Sequence, residues 1–210
     1  MSVSHHRKLP TLVPALSAGS WWLLGLAYLT MVLLWLGGDS TRLALRYQRA
    51  AVFDGQWWRL LTGHLVHFDL RHLLLNLAGA TVMLLLFAPA MTRRQLLSVL
   101  TVSMMTIDTG FIWLMPRLDW YVGLSGILHG VLAAGALLWW RVETWPMAGA
   151  LSAIVVGKLT WEQVHGGLPL AGELPVVVNA HLYGAIGGAL CGVWFLWRSR
   201  HNSASAATPL

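Results

Sequence analysis

The sequence predicts an all-α membrane protein, a bundle of six transmembrane helices with an interfacial first loop. Of its 210 residues, 57% are hydrophobic and only 10% are charged, whereas a soluble domain has about 25% charged residues. Its 13 tryptophans fit the same class, because indole rings favour the membrane–water interface. The net charge of +6 does not indicate nucleic-acid binding, because the basic residues occur singly or in pairs near the ends of apolar segments.

Several apolar segments have the length of about 20 residues that a helix needs to cross the hydrocarbon core. Six such segments lie at roughly 19–38, 69–90, 95–115, 122–140, 146–165 and 176–197. Glycine, proline or charged residues follow them and separate neighbouring helices. We therefore predict one domain over 19–197, a cytoplasmic N-terminal tail at 1–18 and a cytoplasmic disordered tail at 198–210.

Lysines and arginines indicate the orientation of the predicted bundle. An even number of spans puts both termini on one side, and that side collects most of the basic residues beside the spans, as expected of the cytoplasm. The segment 41–50, TRLALRYQRA, puts arginines on the other side. Because apolar residues separate them at helical spacing, we predict a helix that lies on the interface. In the same loop, we expect Trp58 to anchor at the interface and Arg59 to reach the headgroups.

Four polar side chains are predicted to lie at one depth. Ser125 falls in the first turn of the fourth span and His181 early in the sixth. His72 and Asn76 fall in the first two turns of the second span, on one helix face. Histidine is the usual base that activates a serine hydroxyl. Imidazole and amide N–H groups, with the Ser125 backbone N–H at a helix N-terminus, can donate to an oxyanion.

Two stripes of small residues indicate that the fourth and sixth spans pack closely. The stripes recur at every fourth position, at Gly126, Gly130 and Ala134 and at Gly184, Gly188 and Gly192. Small residues at this spacing let membrane helices approach each other. Close packing of these two spans would bring the Ser125 hydroxyl within reach of the His181 imidazole. The spacing leaves a dimer interface open as the alternative.

Three motifs in this order resemble the rhomboid family of intramembrane serine proteases, over about 53–197. GQWWRLLTGHLVHFDLRHLLLNL resembles the family's Trp-Arg stretch and histidine-rich second helix, GLSG its Gly-x-Ser-Gly motif, and AHLYGAIGG its Ala-His-x-x-Gly motif. The resemblance implies a Ser–His dyad without a third acid, with Ser125 as nucleophile and His181 as general base. It also implies an oxyanion hole of His72, Asn76 and the Ser125 N–H, and no cofactor.

The resemblance also implies a substrate class. Substrates would be single-span membrane proteins, cut near the outer face of a bacterial inner membrane, with a gate at about 146–175. Within the family, LSGILHG and the compact form without a cytosolic domain are most similar to the rhombosortases. That branch implies removal of C-terminal sorting tails that contain Gly-Gly, with the acyl group passing to water or to a lipid-derived amine.

Four further residues are assigned supporting roles. Gly123 and Gly126 would let the backbone turn into the fourth span and let the sixth approach. His129, where most rhomboids carry an aromatic residue, would stack or hydrogen-bond against His181, or bond to a carbonyl. His67 would brace the loop before the second span. No metal site is predicted there, because nearby histidines point to different faces.

Ionisable residues within the predicted spans leave alternatives open. Lys158 and Glu162 are four apart and can pair on one helix face. A pair between Asp108 and Lys158 across helices is the competing arrangement, and a role at a gate or a polar substrate is the functional interpretation. Two rival functions also remain: an inactive relative that binds transmembrane helices, and a transport or metal protein that uses the intramembrane histidines.

Overall fold

The computed structural model describes residues 18–87, 89–167 and 176–206. Residues 1–17 of the predicted N-terminal tail, residues 168–175 at the end of the predicted gate and residues 207–210 of the predicted C-terminal tail lie outside the described residues. In chain order the elements are α1 (Ala18–Leu36), α2 (Gly38–Leu45), β1 (Tyr47–Gln48), α3 (Arg49–Phe53), α4 (Arg59–Thr62), α5 (Leu70–Phe87), α6 (Arg93–Trp113), β2 (Trp120–Tyr121), α7 (Ser125–Val142), α8 (Trp145–His165) and α9 (Val178–Ala206).

The fold is mostly helical, as predicted, and each predicted span coincides with one long helix. Four described helices, α5, α6, α7 and α9, are long and apolar enough to cross a membrane, and the bent pair α1–α2 would make a fifth. The predicted count of six is not confirmed by the described residues. The helix α8 falls short because Lys158, Glu162 and Gln163 make its C-terminal half polar.

The helices α7 and α9 pack backbone against backbone at the centre of the bundle. A Cβ atom added to Gly184 would collide with the carbonyl oxygen of Gly126, and one on Gly188 with that of Gly130. Half of the apolar window of α7 is buried inside the protein, the largest share among the candidate spans of the described residues. The two stripes therefore meet within one chain, which accounts for their small residues without a dimer interface.

The first loop packs against the rest of the protein. The helix α2 turns from α1 by 113°, as a helix on the interface would. Next, β1 pairs antiparallel with β2, with Tyr47 opposite Tyr121. The Arg49 guanidinium donates to the carbonyls of Phe111 and Ile112, at 2.9 and 3.1 Å, and so binds the C-terminal end of α6. The loop is thereby attached directly before the start of α7.

Arg59 lies inside this loop, and the expectation that it reaches the headgroups is wrong. Its side chain is buried, and Nη1 donates to the carbonyls of Leu43 at 3.0 Å and Arg46 at 2.9 Å. Backbone carbonyls left over at the end of α2 need donors, and a guanidinium supplies several at once. Trp58 remains exposed and free to meet the interface.

The end of α9 also differs from the prediction. The helix continues to Ala206, whereas the sequence analysis expected disorder from residue 198. No proline follows Trp197 until Pro209, so nothing in the sequence stops the helix earlier. Arg141, at the end of α7, donates to the Ser199 hydroxyl at 2.7 Å and holds the extended turn in place.

Candidate active site

Ser125 is the first residue of α7, and a glycine turn presents it. Gly123 has a φ of +115°, a left-handed conformation that other residues rarely adopt. Its N–H donates to the Gly63 carbonyl at 3.0 Å, and its own carbonyl accepts from the Tyr121 hydroxyl at 2.7 Å. Burial raises the pKa of the Tyr121 phenol, which therefore stays a donor. The half-buried Ser125 thus sits at a helix N-terminus, where unpaired N–H groups favour a developing negative charge.

The structure brings Ser125 and His181 together. Ser125 Oγ lies 2.9 Å from His181 Nε2, and the imidazole is buried in the first turn of α9. The close packing of α7 on α9 sets this distance, since a Cβ added to Gly126 would lie only 3.0 Å from the Ala180 carbonyl oxygen. A hydroxyl and an imidazole in this arrangement can exchange a proton.

The other nitrogen of His181 contacts a carboxylate that the sequence analysis did not place there. Glu162 Oε2 lies 2.9 Å from His181 Nδ1, and Glu162 is only 2% exposed. An ionised carboxylate only accepts, so Nδ1 carries a hydrogen and Nε2 of the neutral ring accepts from Ser125. Beside the expected Ser–His pair, the geometry therefore has a carboxylate on the far side of the imidazole. The sequence analysis singled out Glu162 because it lies four residues after Lys158. No sequence pattern indicated that it lies close to His181.

Lys158 and His129 complete this cluster. Lys158 Nζ donates to Glu162 Oε1 at 2.5 Å and to His129 Nε2 at 2.7 Å. His129 Nδ1 lies 2.7 Å from the Ser125 carbonyl oxygen, which can only accept, so this ring is neutral with its hydrogen on Nδ1. The ring also stacks on that of His181, so His129 both stacks and bonds to a carbonyl.

The alternative pair between Asp108 and Lys158 is wrong. Asp108 instead accepts from His64, whose Nε2 lies 3.3 Å from its Oδ1. Both residues are buried, and the His64 ring packs edge-on against Tyr121, with centroids 5.4 Å apart. Asp108 therefore supports the strand before the serine turn and takes no part in the cluster around His181.

His72 and Asn76 lie beside the glycine turn. A Cβ added to Gly123 would lie 2.6 Å from His72 Nε2, so the ring covers the turn. His72 Nδ1 accepts from the Phe68 N–H at 3.4 Å, which leaves the hydrogen of a neutral ring on Nε2. The buried Asn76 uses one amide hydrogen on the His72 carbonyl, at 3.0 Å, and keeps a second. Both side chains therefore keep a donor available on this side of α5.

His67 lies in the loop before α5, and its ring contacts that helix. Its buried ring packs edge-on against His72, with centroids 5.1 Å apart. Burial lowers the pKa of His67 to about 3, so the ring is neutral near pH 7. Among the described residues, the loop histidines form no group suited to a metal. The one such group is His129, Glu162 and His181, whose candidate ligand atoms lie within 4.8 Å of one another.

A cleft of about 290 Å³ lies beside the same turn. Its lining comes from residues 117–122, directly before Gly123, and from Val176 and Val177, directly before α9. The cleft is therefore next to the helix starts that carry Ser125 and His181.

Comparison with known protein families identifies the family of this chain. A family model described as the rhomboid domain matches residues 54–198, more than half of the chain and the part that contains every residue of the cluster. No curated protein matches the chain significantly.

Proposed function

The chain belongs to the rhomboid family, whose members are generally intramembrane serine proteases, and we propose that it is an active protease of this kind. The observation that carries the proposal is the 2.9 Å distance between Ser125 Oγ and His181 Nε2. The neighbouring helix N-terminus and the donors on α5 also support it, because they could stabilise an oxyanion and a catalytically inactive relative does not need them.

In the proposed reaction, Ser125 Oγ attacks the carbonyl carbon of the scissile bond while its proton passes to His181 Nε2. The oxyanion accepts hydrogen bonds from the Ser125 N–H and from the side chains of His72 and Asn76. The carbon–nitrogen bond then breaks, and the imidazolium returns its proton to the leaving amine. The same imidazole activates the water or amine that attacks the acyl-enzyme and regenerates the Ser125 hydroxyl.

The finer proposal concerns the substrate. The resemblance of LSGILHG to the rhombosortases, with His129 four residues after Ser125, supports cleavage of C-terminal sorting tails in a bacterial inner membrane. The basic residues beside the predicted spans support a cytoplasmic position for both protein termini. Such tails have a Gly-Gly-containing motif, one apolar helix and basic residues. Glycine pairs favour this role physically, because they weaken the helix and expose the backbone at the bond to be cut. Water or a lipid-derived amine would accept the acyl group.

Fluorophosphonate labelling of the detergent-solubilised protein tests the proposal. We expect labelling of the wild type, and its loss in Ser125→Ala and His181→Ala. The matched control is Ser152→Ala on α8, whose hydroxyl bonds the Trp140 indole and not a histidine, and which should label normally. A folded wild-type protein without labelling would contradict the protease proposal and favour a relative that only binds transmembrane helices.

A metal-handling function is the second candidate, because His129, Glu162 and His181 are close enough to share an ion. The Lys158 ammonium opposes it, since it hydrogen-bonds to two of these three groups and would repel a cation. Equilibrium dialysis with Zn²⁺ separates the two functions. Stoichiometric Zn²⁺ that is lost in His129→Ala, together with no serine labelling, would favour the metal function.

A further inference from the structure

We propose that Glu162 is a positioning residue for this reaction, so that the site works as a Ser–His–Glu chain whose carboxylate is held by Lys158 and His129. The inference rests on the proposed protease function and goes beyond the dyad that the family resemblance implies. Glu162 holds the imidazole with its hydrogen on Nδ1 and stabilises the imidazolium that forms when Ser125 loses its proton.

The two oxygens of Glu162 have separate partners, which fixes the carboxylate. Oε2 lies 2.9 Å from His181 Nδ1, and Oε1 accepts from Lys158 Nζ at 2.5 Å. A carboxylate that is only 2% exposed would be costly without such partners. Lys158 supplies the compensating charge from one helical turn earlier, so the carboxylate remains an anion next to the base.

His129 ties this pair to the helix that carries the nucleophile. It accepts from Lys158 through Nε2 and donates from Nδ1 to the Ser125 carbonyl, at 2.7 Å each. Starting from the Ser125 hydroxyl, the contacts pass through His181, Glu162, Lys158 and His129 and return to the carbonyl of the same serine. This closed ring joins α7, α8 and α9, and every hydrogen bond in it has a definite donor and acceptor.

The proton balance needs no further reactant. As Ser125 Oγ bonds to the carbonyl carbon, its proton moves to His181 Nε2, and the new positive charge lies beside the Glu162 anion. The charged and titratable groups around His181 are His129 from α7, Lys158 and Glu162 from α8, and His72 from α5. Of these, Glu162 alone is an anion, so its replacement removes the negative charge that stabilises the imidazolium.

Glu162→Gln is the sharpest test. The glutamine amide can donate to His181 Nδ1, which moves the ring hydrogen to Nε2 and removes the acceptor for Ser125. We expect fluorophosphonate labelling to slow by about 10²- to 10⁴-fold, since the equivalent change in a serine-protease triad costs about 10⁴-fold. The acid limb of the rate–pH profile should move to lower pH, because the protonated ring loses its anionic neighbour. Glu162→Asp should recover part of the rate.

The matched control is Glu143→Gln, a partly exposed carboxylate at the end of α7 and outside the ring. It should keep the wild-type rate and profile. Because Glu162→Gln leaves Lys158 without its anion, the double variant Lys158→Met/Glu162→Gln provides a neutral ring that folds without an unpaired charge. It should unfold near the wild-type temperature and still label slowly. A double variant or a Glu162→Gln that labels at the wild-type rate with an unmoved pH profile would overturn the inference.

Nitrogen NMR of histidine-labelled protein separates this inference from the protease proposal. We expect wild-type His181 to give the spectrum of a ring protonated on Nδ1. Glu162→Gln should lose this spectrum, whether or not the protein reacts with the fluorophosphonate. A wild-type protein that gives that spectrum but does not react with the fluorophosphonate would contradict the protease function and leave the Glu162 contact in place. The role of Glu162 would be overturned if the wild type reacts with the fluorophosphonate and its His181 spectrum is the same as that of Glu162→Gln.

Discussion

The imidazole rings of His129 and His181 stack face to face, with centroids 3.9 Å apart and planes inclined by 13°. Hydrogen bonds hold His129 at both of its nitrogens, so its ring is a fixed plane against which the base can lie. Stacking limits rotation of the His181 ring about its own bonds, while Glu162 selects which nitrogen carries the hydrogen. The two neighbours therefore fix different degrees of freedom of the same imidazole.

Substitutions at His129 separate stacking from hydrogen bonding. We expect His129→Phe to keep the stack, lose the link to Lys158 and retain most of the labelling rate. His129→Ala removes both, and the rate should fall by about 10²-fold, as small displacements of a reacting group do. The measurement is the fluorophosphonate labelling rate of folded protein at one pH. Equal rates for His129→Ala and the wild type would show that the stack does not position His181.

Gly123→Ala should damage both the fold and the reaction. A φ of +115° costs a side-chain-bearing residue about 1–3 kcal/mol, and the new methyl group would press on the His72 ring, 2.5 Å from its Cε1. We expect a lower unfolding temperature in detergent and slower labelling. Gly25→Ala is the control, because its Cβ would meet no atom within 4 Å in α1. A Gly123→Ala protein as stable and as reactive as this control would contradict the role of the turn.

Apolar length and small-residue spacing were sufficient to predict much of the architecture. Long apolar segments predicted the positions of the helices, and the rise per residue predicted that Ser125 and His181 lie near one end of the bundle. The stripes predicted which two helices touch, because only glycine leaves room for the contact between Gly184 and the Gly126 backbone. These features depend on local spacing along a helix, which a sequence contains directly.

Rotation of a helix about its axis is not contained in such spacing. Nothing in the sequence says that the face of α8 with Lys158 and Glu162 turns towards His181, because that rotation depends on how the helices pack against one another. The burial of Arg59 depends in the same way on carbonyls of a distant turn. The predicted count of six spans is not confirmed for a related reason, since the polar residues of α8 at the site also lower its apolar character.

The close packing of α7 against α9 predicts that one added methyl group lowers both stability and reactivity. In Gly184→Ala the new Cβ would collide with the Gly126 carbonyl oxygen, part of a rigid backbone. The helices must separate, which costs about 1–3 kcal/mol of unfolding free energy and moves His181 away from Ser125. We expect a lower unfolding temperature and a slower rate of fluorophosphonate labelling. Gly149→Ala is the matched control, because its new Cβ would make only an ordinary contact of 3.8 Å with Trp140. A Gly184→Ala protein as stable and as reactive as this control would contradict the close packing of α7 and α9.

His67 predicts a loss of stability in acid. Burial lowers its pKa in the folded protein to about 3, below the unfolded value of about 6.5. Its stabilising contribution is therefore complete above about pH 6.5 and declines as the pH falls towards 3, because unfolding releases a ring that takes up a proton. His67→Phe keeps an aromatic ring against His72 but cannot titrate, so its unfolding temperature should fall less between pH 7.5 and pH 5. The exposed His165 is the control: His165→Gln should follow the wild type, and equal acid sensitivity of His67→Phe and the wild type would show that another group governs it.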